Sequence, residues 1–325
     1  MPLAVMANEL GPVSNYALRE TPSIPLAAGQ VRVALRAAGI SYVDVLMAEG
    51  GYQVRPPVPF CPGSEGSGVV SEIAADVSGV AVGDAVVCSS WGGLLAEEIV
   101  LPAASVQPMP AGMSFETAAV LPVSYVTAWH ALVDRGQVRA GETVLVLGAG
   151  GATGYAAIQV AKHLGARVIA SAGSPDKRAL ALAGGADAVV DAKGDDWRAA
   201  VKAANGGKGM DVVFDPVGGE ATEAAFRSLG WNGRHLVIGF PGGIPALRTN
   251  LALLKGASLI GVDIRQFGVF EPEKSAANRQ QVFALASTGA FVPAIARAWP
   301  LADYAEAMEA AKSGRLAGRV VVTTT

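Results

Sequence analysis

The stretch from Gly148 to Gly154, GAGGATG, carries little side-chain chemistry; what it offers is backbone. Gly148, Gly150, Gly151 and Gly154 permit a tight turn, close approach of a phosphate to backbone N–H groups, and close packing of a helix on a strand. Ala149, Gly151, Ala152, Thr153 and Gly154 are accordingly the candidate pyrophosphate-binding residues. A second group follows in SAGSPDKR, residues 171–178. An acidic residue here would hold the ribose 2'-hydroxyl of NAD, yet no carboxylate stands at the tip of the apolar run VIAS. Ser171, Gly173, Ser174, Lys177 and Arg178 stand there instead, and hydroxyl and cationic donors suit a 2'-phosphate. The pattern predicts NADPH in preference to NADH. A plainer reading makes Ser174 the cap of a helix begun by Pro175, with Lys177 and Arg178 in solvent; the two roles are compatible.

The elements that must position these residues are legible around them. Val144 to Leu147 is a short apolar run, as expected of a strand covered on both faces. In the helix that follows, Gln159, Lys162 and His163 share one face and Ile158, Ala161 and Leu164 the other. RVIAS, AVVDA, DVVFDPVGG, HLVIGF and SLIGVDI then alternate with helical segments. Repeated βα units of this length predict an α/β fold, a doubly wound parallel sheet with right-handed crossovers. From Pro22 to about Val106 the runs are short, apolar or alternating, and broken by Gly and Pro, which predicts an antiparallel, partly barrel-like β domain. Between the two regions, SFETAAVLPVSYVTAWHALVDRG reads as two short helices interrupted at Pro122, with Ser114 as N-cap. A helix at SAANRQQVFALAS, another at Ala302 to Ser313 and a last strand RVVVTT close the chain.

Composition narrows the function classes. The 325 residues are 51% hydrophobic with 40 glycines, which suits buried strands joined by tight turns and argues against disorder. A net charge of -3, from 25 basic and 28 acidic residues without a basic block, disfavours nucleic acid as a partner. No apolar run reaches the roughly 20 residues that span a bilayer, and MPLAVMANEL lacks the pattern of a signal peptide. A cytoplasmic location without membrane contact is expected, and the two cysteines, Cys61 and Cys88, fit a reducing compartment.

Several segments in order, AAGISYVDVLMAEGGY, PFCPGSEGSGVV, VGDAVV, LPVSYVTAWHAL, the Ala149-Gly151-Gly154 turn, DVVFDPVGG, LVIGF and GRVVV, resemble the zinc-independent quinone oxidoreductases (zeta-crystallin-like) of the medium-chain dehydrogenase/reductase superfamily. The similarity covers essentially the whole chain. It implies a GroES-like catalytic domain, residues 1–122 and 267–325, around a Rossmann domain, residues 123–266, with the cofactor in the cleft between them and a homodimer paired through the Rossmann sheet edge. It also implies nicotinamide contacts at Thr127, Pro216, Val217, Gly218, Ile238, Gly239 and Phe240. Where zinc-dependent relatives carry a ligand cysteine this chain has Ile40-Ser41, and in place of their GHE it has Gly63-Ser64-Glu65. Catalytic zinc needs three protein ligands, and Cys61, Cys88, His130, His163 and His235 offer no such spacing, so no metal is expected.

Without a Lewis acid, the hydride of NADPH must go to an acceptor that is already electrophilic, a quinone or a conjugated enone or enoyl thioester. The resemblance to mitochondrial enoyl-thioester reductases makes Tyr52 the candidate proton donor or oxyanion partner; the alternative is a ring stacked in an apolar loop. Ser41 and Tyr42 fall in the segment that forms the cleft floor in relatives, with Ser41 where most quinone reductases have asparagine, and the neighbouring Asp44 reads as a structural carboxylate. Trp91, Tyr125, Phe240 and Phe267 are candidate walls of the acceptor pocket, against the commoner fate of aromatics as core. Quinone reductase is the leading expectation and 2-enoyl reductase the second. A non-catalytic NADPH-binding protein of the lens-crystallin kind is the alternative from another class, since fold alone does not specify function.

Overall fold

The computed structural model describes residues 1–324, in two compact units: residues 1–122 together with those from 293 on, and Val123–Val292. The chain begins in the first. Strands β1 (Leu3–Met6) and β2 (Ala17–Glu20) pair as a small antiparallel ribbon. Strand β3 (Gln30–Ile40) then runs through the middle of a larger sheet and leads into α1 (Tyr42–Ala48), after which come β4 (Glu65–Ile73), β5 (Ala85–Ser89), β6 (Glu98–Pro102) and β7 (Val106–Pro108). Val31, Val33, Leu35, Ala37 and Ala38 of β3 are all buried, which is why this strand can hold the centre. Helix α2 (Phe115–Ala119) starts where expected: the Ser114 hydroxyl accepts from the Thr117 N–H at 3.3 Å.

Helix α3 (Pro122–Trp129) opens the second unit and continues as a π-helical turn over His130–Arg135, a feature with no signature in the sequence pattern. The βα units follow: β8 (Thr143–Val146), α4 (Ala152–His163), β9 (Arg167–Ala172), α5 (Pro175–Ala183), β10 (Ala188–Asp191), α6 (Trp197–Ala204), β11 (Met210–Asp215), α7 (Glu220–Ser228), β12 (Leu229–Val237), α8 (Asn250–Lys255) and β13 (Ser258–Gly261). All six strands are parallel, in the order β10-β9-β8-β11-β12-β13. The direction of the order reverses beside β8, the switch point at which doubly wound sheets bind ligands outside the carboxyl ends of their strands. Val144, Leu145 and Val146 at that point have no exposed surface, each burial contributing about 2 kcal/mol.

Helices α9 (Ile264–Phe270) and α10 (Pro272–Ser287) complete this unit. The sequence reading assigned residues from 267 on to the other domain, whereas the second unit extends to Val292. The physical reason is a set of contacts a helical pattern cannot reveal. Phe267 stacks on His130 with ring centroids 3.8 Å apart, Asn278 Nδ2 donates to Asp134 Oδ2 at 2.6 Å, and Phe291 packs on Tyr125.

The chain then returns to the first unit through β14 (Ile295–Pro300), α11 (Tyr304–Ser313) and β15 (Arg319–Thr323). Strand β15 pairs antiparallel with β3, Val320 opposite Ile40, and gives a sheet of order β14-β15-β3-β4-β5-β7, with β6 also on β3. Among the described residues no helix is long and apolar enough to cross a membrane.

Candidate functional site

The glycine turn joins β8 to α4. Gly148 takes the left-handed conformation, φ 56°, and a Cβ at residue 154 would lie 2.4 Å from the Gly148 carbonyl oxygen. Only glycine at 154 lets the first turn of α4 sit this close to the strand end. The amides of Ala149 and Gly151 are already used: Ala149 N donates to Ser171 O at 3.1 Å and Gly151 N to Gly148 O at 2.9 Å. These two amides therefore shape the turn. Ala152, Thr153 and Gly154 open the helix after an N-cap glycine with no side-chain cap, so their N–H groups face outward along the helix axis as an anion site.

At the tip of β9 the candidates separate into two kinds. Ser171 is buried and its hydroxyl accepts from Trp197 Nε1 at 2.8 Å, so it buttresses the turn instead of binding a ligand. Arg178 NH1 reaches Ala172 O and Asp191 Oδ2, both at 3.1 Å, and fastens the ends of β9 and β10 together. One nitrogen of its guanidinium thus staples the two strand ends. Ser174 caps α5, its hydroxyl accepting from Lys177 N at 3.4 Å. Lys177 packs directly on the glycine turn, its Cβ 2.4 Å from where a side chain on Gly150 would start. Burial, and next the charge of Lys193, lower the Lys177 ammonium below its ordinary pKa. Lys193 stands two residues beyond the end of β10.

On the other side of β8 the loops after β11 and β12 interlock. Gly242 N donates to Val217 O at 2.8 Å and Gly219 N to Gly243 O at 2.7 Å, while Ile238 N donates to Asp215 O. Val217 Cγ2 lies 3.0 Å from the Cβ position of Gly148, so this loop borders the glycine turn. Asp215 is the hub. Its Oδ1 accepts from Val217 N and Gly218 N, both at 2.9 Å, and its Oδ2 from Thr222 Oγ1 at 2.7 Å, with His235 Nε2 at 3.0 Å. Burial alone would push its carboxyl up, but the hydrogen bonds from His235, Gly218 and Thr222 outweigh it and hold the group below the usual carboxylate range. Phe240, 40% exposed, and Gly239 lie on the loop after β12, and Thr127 is buried on α3. The second unit thus gathers Gly148–Gly154, Ser174, Lys177, Val217 and Phe240 at the carboxyl edge of its sheet.

Tyr125 and Phe267 are not pocket walls. Tyr125 is 1% exposed, its hydroxyl donates to Gln159 Oε1 at 2.8 Å, and its ring meets Phe291; Phe267 is buried on His130. Both serve the interior of their own unit.

In the first unit Ser41 and Asp44 form a capping box. Ser41 N and Oγ donate to Asp44 Oδ2 at 2.7 and 2.6 Å, and Asp44 N donates to Ser41 Oγ at 3.3 Å. The hydroxyl is thereby committed to starting α1. Tyr42 is 39% exposed and Trp91 55% exposed, while Tyr52 is half-buried against the first core. The residues where zinc ligands would stand do not fit a zinc ion. Ser41 is a cap, Glu65 is paired with Arg319, and burial pushes the Cys61 and Cys88 thiols up to about 12. Among the described residues no three His, Cys, Asp or Glu side chains converge on a metal position.

Residues 27–111 match the alcohol dehydrogenase GroES-like domain and residues 152–278 the zinc-binding dehydrogenase family. The chain is 42% identical over 267 residues to quinone oxidoreductase-like protein 2 of Rattus norvegicus, covering 80% of this chain and 76% of that protein. A mycobacterial structure complexed with NADPH is similar at TM-score 0.90 and 27% identity, covering 99% of this chain and 100% of that one. The CurK enoyl reductase is similar at TM-score 0.87 and 25% identity, covering 99% of each chain. The chain belongs to the quinone oxidoreductase-like family of the medium-chain dehydrogenase/reductase superfamily. It is an oxidoreductase of that superfamily that uses a nicotinamide cofactor.

Proposed function

We propose that the chain is a zinc-independent, NADPH-dependent reductase of quinones or similar conjugated acceptors. The observation that carries this reading is the site at the edge of β8 and β9: outward amides at the start of α4, with Ser174 and Lys177 beside them and no carboxylate at the tip of β9. In this reading the amides of Ala152, Thr153 and Gly154 hold the pyrophosphate, and Ser174 and Lys177 hold the 2'-phosphate. Val217, Gly218, Ile238, Gly239, Phe240 and Thr127 border the nicotinamide, with the Asp215 hub fixing the loop that Val217 stands on. When bound, NADPH supplies a hydride to the acceptor. Quinone, NADPH and a proton give hydroquinone and NADP⁺, so the chain's own task at the acceptor is to orient it and to manage that proton. Tyr52, Tyr42 and Trp91 are the acceptor-side residues we assign, with Tyr52 the proton source. The donor set around Ser41, Cys61 and Glu65 supports a reaction without zinc, and two free thiols suit the cytoplasm.

The likeness to an enoyl reductase favours a second reading, transfer to the β-carbon of an enone or enoyl thioester with Tyr52 protonating the enolate. One experiment tests both: oxidation of NADPH and NADH by the purified protein with quinones, enones and crotonyl-CoA, with and without EDTA. NADPH-selective turnover of quinones, indifferent to EDTA, is expected. Preference for crotonyl-CoA, lost in Tyr52→Phe, would favour the second reading, and NADPH binding without turnover of any acceptor would overturn both.

We also propose a homodimer built on β13. Among the described residues this strand pairs only with β12, which leaves its outer edge open. Leu259 of the strand, Leu253 and Leu254 of α8 and Trp231 of β12 are exposed, and the Trp231 ring packs on Gly256 in the turn that enters the strand. An open edge with apolar neighbours is a template for pairing with a second copy.

A further inference from the structure

We propose that Lys193 is a specificity-determining residue of the cofactor site, a second cation on the 2'-phosphate; this rests on the NADPH reading above. Three observations support it. The turns after β9 and β10 are tied together: Asp191 stands opposite Ala172 in the register, and Ala192 N donates to Ala172 O at 3.2 Å. The turn after β10 is therefore held at the tip of β9, where the cofactor's 2'-substituent is recognised in doubly wound sheets. Second, the Lys193 side chain lies across Gly173, its Cε 3.3 Å from where a Cβ on that residue would stand. Glycine at 173 leaves the aliphatic stem room to cross the strand end toward Ser174 and Lys177.

Third, two ammonium groups stand near each other by these strand ends. Of the two carboxylates two residues away, Asp191 and Asp195, Asp191 is used elsewhere: its Oδ2 takes Arg178 and its Oδ1 accepts the Lys193 backbone N–H at 3.0 Å. Among the described residues no carboxylate forms an ion pair with the Lys193 ammonium, which stays exposed. Burial and, after it, the charge of Lys193 lower Lys177. A dianion beside two such ammonium groups lowers their repulsion. A ribose 2'-phosphate supplies that charge; a 2'-hydroxyl does not.

The test is equilibrium binding of NADPH and NADH to the full-length protein and to Lys193→Ala and Lys193→Arg. Lys193→Ala should raise the NADPH Kd about tenfold, the ratio for one charge-assisted hydrogen bond. The NADH Kd should stay unchanged, and Lys193→Arg should restore most of the loss. Equal weakening of both cofactors, or an NADPH Kd that Lys193→Ala does not move, would overturn the role of Lys193 while leaving the NADPH reading intact. Wild-type protein that binds NADH as tightly as NADPH would overturn the reading and the proposal together.

Discussion

The Asp215 carboxylate has four partners, and through them it sets the loop on which Val217 and Gly218 stand. Its carboxyl is held below the ordinary value, so its stabilisation is complete above the unfolded pKa of about 3.9 and lost as the pH falls through the lower folded value. Asp215→Asn should cost about 3 kcal/mol at pH 7, by leaving buried donors without their anion. In denaturant titrations the gap between variant and wild type should close below about pH 4; a gap that persists in acid would show that the charge is not what matters. At this scale the sequence was legible where residue type alone decides the matter. Gly148 and Gly154 are required by backbone geometry, and the absence of a carboxylate after VIAS is a plain reading. Arg178 and Ser171 are less legible. Each bears a polar group of the right kind, but its partner (Asp191 and Trp197 respectively) is chosen by packing.

The elements followed from periodicity wherever an element closes on its neighbours in sequence. The βα alternation, the break at Pro122 and the Ser114 and Ser174 caps all lie within a few residues of the features that cause them. What periodicity does not encode is which body a helix packs against, and α9 and α10 joined the second unit through Phe267 on His130 and Asn278 on Asp134. The meeting of β8 and α4 is the element contact on which the cofactor site depends. Gly154→Val would drive a side chain into the Gly148 carbonyl, 2.4 Å from its Cβ. Calorimetry should show a loss of about 2 kcal/mol. The Kd values for NADPH and NADH should both rise at least tenfold, since the pyrophosphate is common to them; a selective effect on NADPH would contradict the assignment of these amides.

For the whole molecule, the proposed dimer makes a direct prediction. Leu259→Lys puts a charge on the exposed face of β13, and edge lysines are a known device against strand pairing. Sedimentation should show the wild type at twice the chain mass and the variant at the single-chain mass, and an unchanged mass would remove β13 as the interface.

The first unit is made of two stretches of chain, and its sheet has a long wait built into it. Strand β3 is synthesised early and Ala37 to Gly39 pair with β4 on one side, but on the other side Ala37 to Ile40 find their partners in Val320 to Thr323. The second unit is continuous and needs nothing from outside its own stretch to pair its six strands. On a ribosome that delivers the chain from the amino end, the later-made unit can therefore close first, while the edge of β3 stays open until the last residues emerge. Newly made chains are most exposed to aggregation in that interval, and truncation of even the final strand should prolong it indefinitely.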